Sequence, residues 1–321
     1  MINNRREVYA PFEYPEAFEF WKKQQQAHWL ASEVSMSTDI NDWKTILDDK
    51  EKNIISNILK GFVQSEVLIE NYWSQYIPTW FPKPEICMAS AAMANMESIH
   101  TQAYAYLNES LGIIDFDAFL YEPSAKAKMD RIAVKTELSE NIEDMALSLA
   151  IFSAFTEGVQ LFSSFAVLMN YSRFNKMKGV GQIVSFSVRD ESLHSEFGCW
   201  LFRQLIKEYP EIWNDSFKKK IYEAARETIR LEDDFIDKVF ELGDIEGLSK
   251  DEMKNFIRMR ANAKLNDLGL KNNWKNIDKG LMKQMEWFDV LTTGVIHTDF
   301  FAQKVAEYSK SQEDFDVMWD D

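Results

Sequence analysis

MANMESIHTQAY at residues 93–104 holds a Glu-x-x-His unit, Glu97 to His100, and SVRDESLH at 187–194 holds a second, Glu191 to His194. On an α-helix, residues three apart share a face. Extending each unit at three-and-four spacing gives an apolar stripe in both directions. One runs Ile86, Ser90, Met93, Glu97, His100, Tyr104, Leu107, Leu111. The other runs Val180, Val184, Ser187, Glu191, His194, Gly198, Leu201, Leu205. Two further stripes have the same form: Ile55, Leu59, Phe62, Glu66, Ile69, Trp73, and Ala150, Ala154, Glu157, Leu161, Ser164, Leu168. Such spacing predicts helices that bury one seam. Each seam is interrupted by a glutamate.

A lone buried glutamate costs several kcal/mol unless it is paired, protonated or bound to metal. The seams contain four glutamates, two histidines and no Lys or Arg, so the compensating cations must come from elsewhere. Two divalent ions would neutralise the carboxylates and take imidazole nitrogens as further ligands. A glutamate from each of two helices plus Glu-x-x-His from each of two others is the pattern of ferritin-like di-metal carboxylate bundles. With 29 Glu and 4 His, chance gives roughly 0.4 Glu-x-x-His matches, so one match is weak and two are better. The signal becomes strong through its order. Glu97 follows Glu66 by 31 residues and Glu191 follows Glu157 by 34, as in a duplicated unit. The competing reading is a helical bundle with internal ion pairs. His28 and His297 have no carboxylate partner on a seam and read as ordinary polar histidines.

The rest of the sequence agrees with an all-α fold. It has 321 residues, 46% apolar, with only 11 Gly and 7 Pro, which disfavours a turn-rich β fold. Helical stretches are predicted at about 14–30, 42–77, 84–111, 124–137, 138–171, 178–208, 213–242, 249–267 and 279–306. A formal charge of −16 argues against binding nucleic acid through its phosphates. Cys87 and Cys199 form no paired motif, and the N-terminus lacks the apolar run of a signal peptide, so a reducing cytoplasm is expected. Met145 to Met169 is long enough to span a membrane but carries Glu157 near its centre, and a buried bundle helix is the preferred reading. Residues 1–308 read as a single helical domain. Residues 309–321, with five acidic residues and no base after Lys310, read as a flexible acidic tail.

The chain resembles the small, radical-generating subunit of class I ribonucleotide reductases. WLASEVSMSTD at 29–39, MANMESIHTQAY at 93–104 and SVRDESLH at 187–194 carry the resemblance, which extends from the N-terminal helix to the tail. It implies a ribonucleoside-diphosphate or -triphosphate reductase subunit that works as a homodimer with a large catalytic subunit. Glu66, Glu97, His100, Glu157, Glu191 and His194 match the metal ligands, with Glu97 and Glu191 bridging. Tyr104 matches the tyrosyl-radical site. Asp190 and Trp29 match the radical-transfer route, Tyr308 is the candidate relay, and the tail is the docking segment. In the common di-iron members the first ligand is Asp. Glu66 together with Tyr104 is most similar to the dimanganese subgroup, whose active cluster is Mn(III)Mn(IV). Di-iron and manganese–iron are the alternatives. A stand-alone di-metal oxidase or oxygenase would share the ligands but leaves Trp29, Asp190 and the tail unexplained. A ferritin-type storage protein would lack the tail.

Overall fold

The computed structural model describes residues 1–113, 126–127 and 141–292. Pro15 opens α1 (Pro15–Gln26), where its missing N–H costs nothing. The polypeptide then leaves the helix, so Trp29 sits on a connector before a single 3₁₀ turn at Ala31–Glu33 and α2 (Ser37–Thr45). Periodicity predicts one helix over 42–77. The structure instead restarts at α3 (Asp49–Asn71), because Asp48 and Glu51 form a reciprocal cap. Glu51 N donates to Asp48 Oδ1 at 2.8 Å, and Asp48 N donates to Glu51 Oε2 at 3.0 Å.

After α3 the backbone widens into a π turn (Tyr72–Tyr76), then passes through α4 (Ile77–Trp80) to α5 (Pro84–Leu111). Gly112, at φ 74°, closes α5 in the left-handed conformation that glycine adopts without a Cβ penalty. The later elements are α6 (Ile142–Leu149), a π-helical segment (Ala150–Gln160), α7 (Phe162–Arg173), α8 (Lys178–Glu208), α9 (Asp215–Val239), α10 (Lys250–Asp267) and α11 (Lys279–Gln284). No β-strand occurs among the described residues. The predicted stretch 124–137, apart from 126–127, and the end of the stretch 279–306 lie outside the described residues. So do His297, Tyr308 and the segment 309–321.

α3 packs on α5, and α8 packs on the π-helical segment. The two halves meet through α5 against α8 and through the Phe62–Phe165 ring contact at 5.2 Å. α1 lies along α5, and α2 lies against α8. All four seams face inward. Ile142–Arg173 is long and apolar enough to cross a membrane, yet 94% of its most apolar window is buried inside the protein. It is the central helix of the bundle.

The π-helical segment interrupts the regular pattern around Glu157. π turns are uncommon and cluster at functional sites. Gly158 lets neighbours approach this segment closely: a Cβ there would lie 2.6 Å from Lys264 Cδ and 2.8 Å from Ser195 Oγ. The Gly158 carbonyl accepts from Arg260 Nε at 3.2 Å. At the other π turn, Ser90 Oγ on the α5 seam donates to the carbonyl of Trp73. Neighbouring helices thus hold both widened segments through backbone carbonyls.

Gly198 sets how closely α8 meets the π-helical segment. A Cβ there would sit 2.4 Å from Ser153 Cβ, a contact that no side-chain rotation relieves. Gly198→Ala should therefore lower unfolding free energy by about 1–3 kcal/mol, the usual cost of overpacking. Urea denaturation checks it, and an unchanged midpoint would contradict the close packing described.

Candidate metal centre

Six side chains from four elements converge in the core. Glu66 comes from α3, Glu97 and His100 from α5, Glu157 from the π-helical segment, and Glu191 and His194 from α8. All six are fully buried. They form two overlapping groups: Glu66, Glu97, His100 and Glu191, and Glu97, Glu157, Glu191 and His194. Within each group, one donor atom per residue lies within 4.8 Å of the others. Glu97 and Glu191 belong to both groups, the position expected of bridging carboxylates. The six residues singled out in the sequence are therefore brought together.

The contacts would suit a bound cation. His100 Nδ1 lies 3.1 Å from Glu97 Oε2 and 3.0 Å from Glu191 Oε1. His194 Nδ1 lies 2.6 Å from Glu97 Oε1, without the alignment of a hydrogen bond. Eight buried side-chain oxygens and nitrogens have no hydrogen-bond partner among the described residues: both oxygens of Glu66 and of Glu191, Glu97 Oε1, Glu157 Oε2, and both ring nitrogens of His194. An unsatisfied buried polar atom costs about 1–3 kcal/mol. So many converging on one point fit two metal ions well, and their oxygen and nitrogen chemistry suits manganese and iron alike.

The protonation states point the same way. Burial, reinforced by the charges of Glu97 and Glu191, pushes the Glu66 carboxyl well above its usual range. Burial does the same to Glu157, again reinforced by Glu191 and Glu97. Burial alone would raise Glu191, but His100, His194 and Glu157 outweigh it and hold Glu191 below the ordinary carboxylate range. Burial would lower both histidines. Asp190, Glu191 and Glu97 overcome this at His100 and raise it, and Glu97 and Glu191 raise His194 to about 9. Without a cation, these shifts favour protons on Glu66, Glu157 and both imidazoles.

Asp190 is also buried, one residue before Glu191. His100 Nε2 lies 3.2 Å from Asp190 Oδ2, so the outer ring nitrogen is engaged while Nδ1 faces the cluster. Trp29 Nε1 donates to the same Asp190 oxygen at 2.8 Å, and the Trp29 and His100 ring centroids are 6.0 Å apart. His100, Asp190 and Trp29 therefore form one hydrogen-bonded line. Burial would raise Asp190, but His100, Arg189 and Trp29 hold it lowered, so it is an anion. Tyr104 is fully buried one turn after His100, its ring 6.2 Å from the imidazole and 4.7 Å from Phe62. Its hydroxyl has no hydrogen-bond partner among the described residues. His28 is exposed on the surface.

Matches to known proteins follow this geometry. Residues 6–279 match the family model described as ribonucleotide reductase, small chain. The chain belongs to the small-subunit family of class I ribonucleotide reductases. This small subunit is 33% identical to a probable ribonucleoside-diphosphate reductase small subunit of invertebrate iridescent virus 6, over 95% of its own length and 94% of the viral protein. It is 28% identical to a small subunit of the Arabidopsis thaliana ribonucleoside-diphosphate reductase, over 97% of its own length and 87% of the plant protein. Two solved structures share the fold at 22% identity. A putative class I ribonucleotide reductase from Bacillus halodurans gives a TM-score of 0.79, covering 85% of the present protein and 99% of the Bacillus one. The dimanganese(II)-NrdF of Streptococcus sanguinis gives 0.76, covering 88% and 99%.

Three further residues bond the small-subunit site with little or no signal in the sequence. Trp73 Nε1 donates to Glu157 Oε1 at 2.8 Å, although Trp73 read only as an apolar seam residue. Gln24 Nε2 and Arg189 Nε both reach Asp190 Oδ1 at 3.3 Å. Arg189 stood next to Asp190 in SVRDESLH, which was the available signal. Gln24 gave none.

Metal loading would displace protons from these groups, so it should release protons and strengthen as pH rises. The raised groups carry protons below their shifted values, and this dependence should persist until His194 titrates near 9. Calorimetry of Mn(II) binding in buffers of different ionisation enthalpy measures the release. Binding without it would contradict these protonation states.

Proposed function

We propose that this protein is the radical-generating subunit of a ribonucleotide reductase and holds two metal ions at the six clustered residues. One ion would be held by Glu66, Glu97, His100 and Glu191, the other by Glu97, Glu157, Glu191 and His194, with Glu97 and Glu191 belonging to both groups. The observation that carries the reading is the pair of overlapping groups in a fully buried core, continued by His100, Asp190 and Trp29. A storage protein or stand-alone oxidase needs the groups but not the continuation, and the match over 6–279 supports the reductase.

When bound, the metal pair supplies and stores one oxidising equivalent. The bundle encloses the site and excludes water. Asp190 fixes the His100 ring and presents a hydrogen-bond acceptor to the Trp29 indole. His100, Asp190 and Trp29 would carry that equivalent outward, and Tyr308 would relay it to a cysteine of the large subunit, where ribonucleotides become deoxyribonucleotides. Nucleotide does not bind the small subunit. Residues 309–321 dock on the large subunit, and two copies of the small subunit form a homodimer. Two free thiols accord with a reducing cytoplasm.

Trp29→Phe keeps the bulk of the ring but removes an oxidisable indole. It should leave metal loading unchanged and abolish nucleotide reduction in the presence of the large subunit. Full activity of this variant would take Trp29 out of the route.

The favoured metal pair is dimanganese, active as Mn(III)Mn(IV). Affinity order does not select manganese over iron. The reading rests on Glu66, whose longer arm changes binding mode more freely than Asp, beside a retained Tyr104. Electron paramagnetic resonance of active protein distinguishes the cases. A multiline manganese signal with activity surviving Tyr104→Phe is expected. A tyrosyl signal proportional to activity in iron-loaded protein would contradict it.

A further inference from the structure

Each metal group has a tryptophan attached. Trp29 reaches the Glu66 group through Asp190 and His100. Trp73 reaches the Glu157 group directly, through its hydrogen bond to Glu157 Oε1, with its ring centroid 5.7 Å from that of His194. The Trp29 line is taken up by the proposed function, and Trp73 is not.

Oxidisable rings continue outward from Trp73. The Tyr72 ring is 6.2 Å away, edge-on, and Tyr76 stacks on Tyr72 at 5.6 Å with planes 10° apart. Tyr72 and Trp73 are fully buried, while Tyr76 is half-exposed. The line therefore starts on a candidate ligand and ends at water within three rings. Trp80 lies beside it, 5.9 Å from Tyr72 and 5.8 Å from Tyr76. A second aromatic line leaves Trp73 through Phe197, 5.9 Å away, but a phenylalanine ring is too hard to oxidise to carry a hole. Tyr72, Trp73 and Tyr76 all lie in the π turn, so that widened turn is what lines up the rings.

We infer that Trp73, Tyr72 and Tyr76 form a second redox conduit, by which a thiolate at the surface discharges an oxidising equivalent that has not left through Trp29. The inference rests on the two-metal reading of the site and extends it. One electron leaves Trp73 for the oxidised site, and the indole proton moves along its hydrogen bond to Glu157 Oε1. Tyr72 refills Trp73, whose proton returns, and Tyr76 refills Tyr72 in the same concerted step, so Tyr72 keeps its phenolic proton beside Ser148 Oγ, 3.2 Å away. The net loss is one electron and one phenolic proton from Tyr76, the proton going to water. A thiolate gives Tyr76 one electron and becomes a thiyl radical, and water restores the proton.

The test uses the full-length protein, loaded with two metals and oxidised, then mixed with dithiothreitol and a nitroso spin trap. Metal content, the decay of the oxidised signal and the position of trapped adducts by peptide mass spectrometry are read together. Wild type should carry the adduct on Tyr76. Tyr72→Phe, which interrupts the line, should lose that adduct and decay severalfold more slowly. Tyr76→Phe, at a half-exposed position, provides a second interruption with the same slowing. Equal decay in all three proteins, or no adduct on Tyr76 in wild type, overturns the conduit. Failure to bind two metals overturns it together with the reading of the site, and is recognised by metal content rather than by adducts.

Discussion

Four carboxylates and two imidazoles in a fully buried core must have their charge neutralised, and the rest of the architecture follows from that requirement. In water each group would be solvated at no cost. At zero exposure, Glu66, Glu97, Glu157 and Glu191 need protons or cations. The shifts favour protons on Glu66, Glu157 and the histidines, and two divalent ions would replace them. The unpartnered oxygens and nitrogens around the cluster express the same need in geometry. Shared Glu97 and Glu191 tie the two sites into one, so neither group is complete without helices from both halves of the molecule.

The scaffold brings the groups into range by departing from ideal helices where they require it. Glu157 lies in a π-helical segment, and Trp73 lies in a π turn. Arg260 and Ser90 bond carbonyls of these segments, at Gly158 and Trp73. Gly158 and Gly198 allow side chains of α10, α8 and the π-helical segment closer than a Cβ would permit. The connector after α1 leaves helical geometry just before Trp29, which places the indole on Asp190. Local irregularity is therefore concentrated around the site, while the outer helices α9 and α10 are regular.

Much of this was legible in the sequence, because burial and helical periodicity write the same pattern. All four seams proved buried, and their interrupting residues met at one point. Asp190 and Trp29 were found through the family motifs and sit one hydrogen bond apart. The break before α3 was missed although Asp48-x-x-Glu51 is a capping signature, since the apolar spacing ran on through it. The π segments left no trace in a three-and-four pattern, because Glu157 and Trp73 kept seam positions across them. The bond from Trp73 to Glu157 joins residues 84 apart, and no local rule could have paired them. Gln24 is a tertiary partner of the same kind. Tyr308 and the tail lie outside the described residues, so their roles rest on resemblance.

In the proposed site, two metal ions share Glu97 and Glu191. Anomalous scattering from crystals grown with Mn(II), collected on either side of the manganese edge, tests it most directly. Two peaks are expected. One should lie among Glu66, Glu97, His100 and Glu191, and the other among Glu97, Glu157, Glu191 and His194, with both shared carboxylates in contact with both ions. A single peak, or two peaks at fully loaded sites elsewhere in the protein, would contradict it.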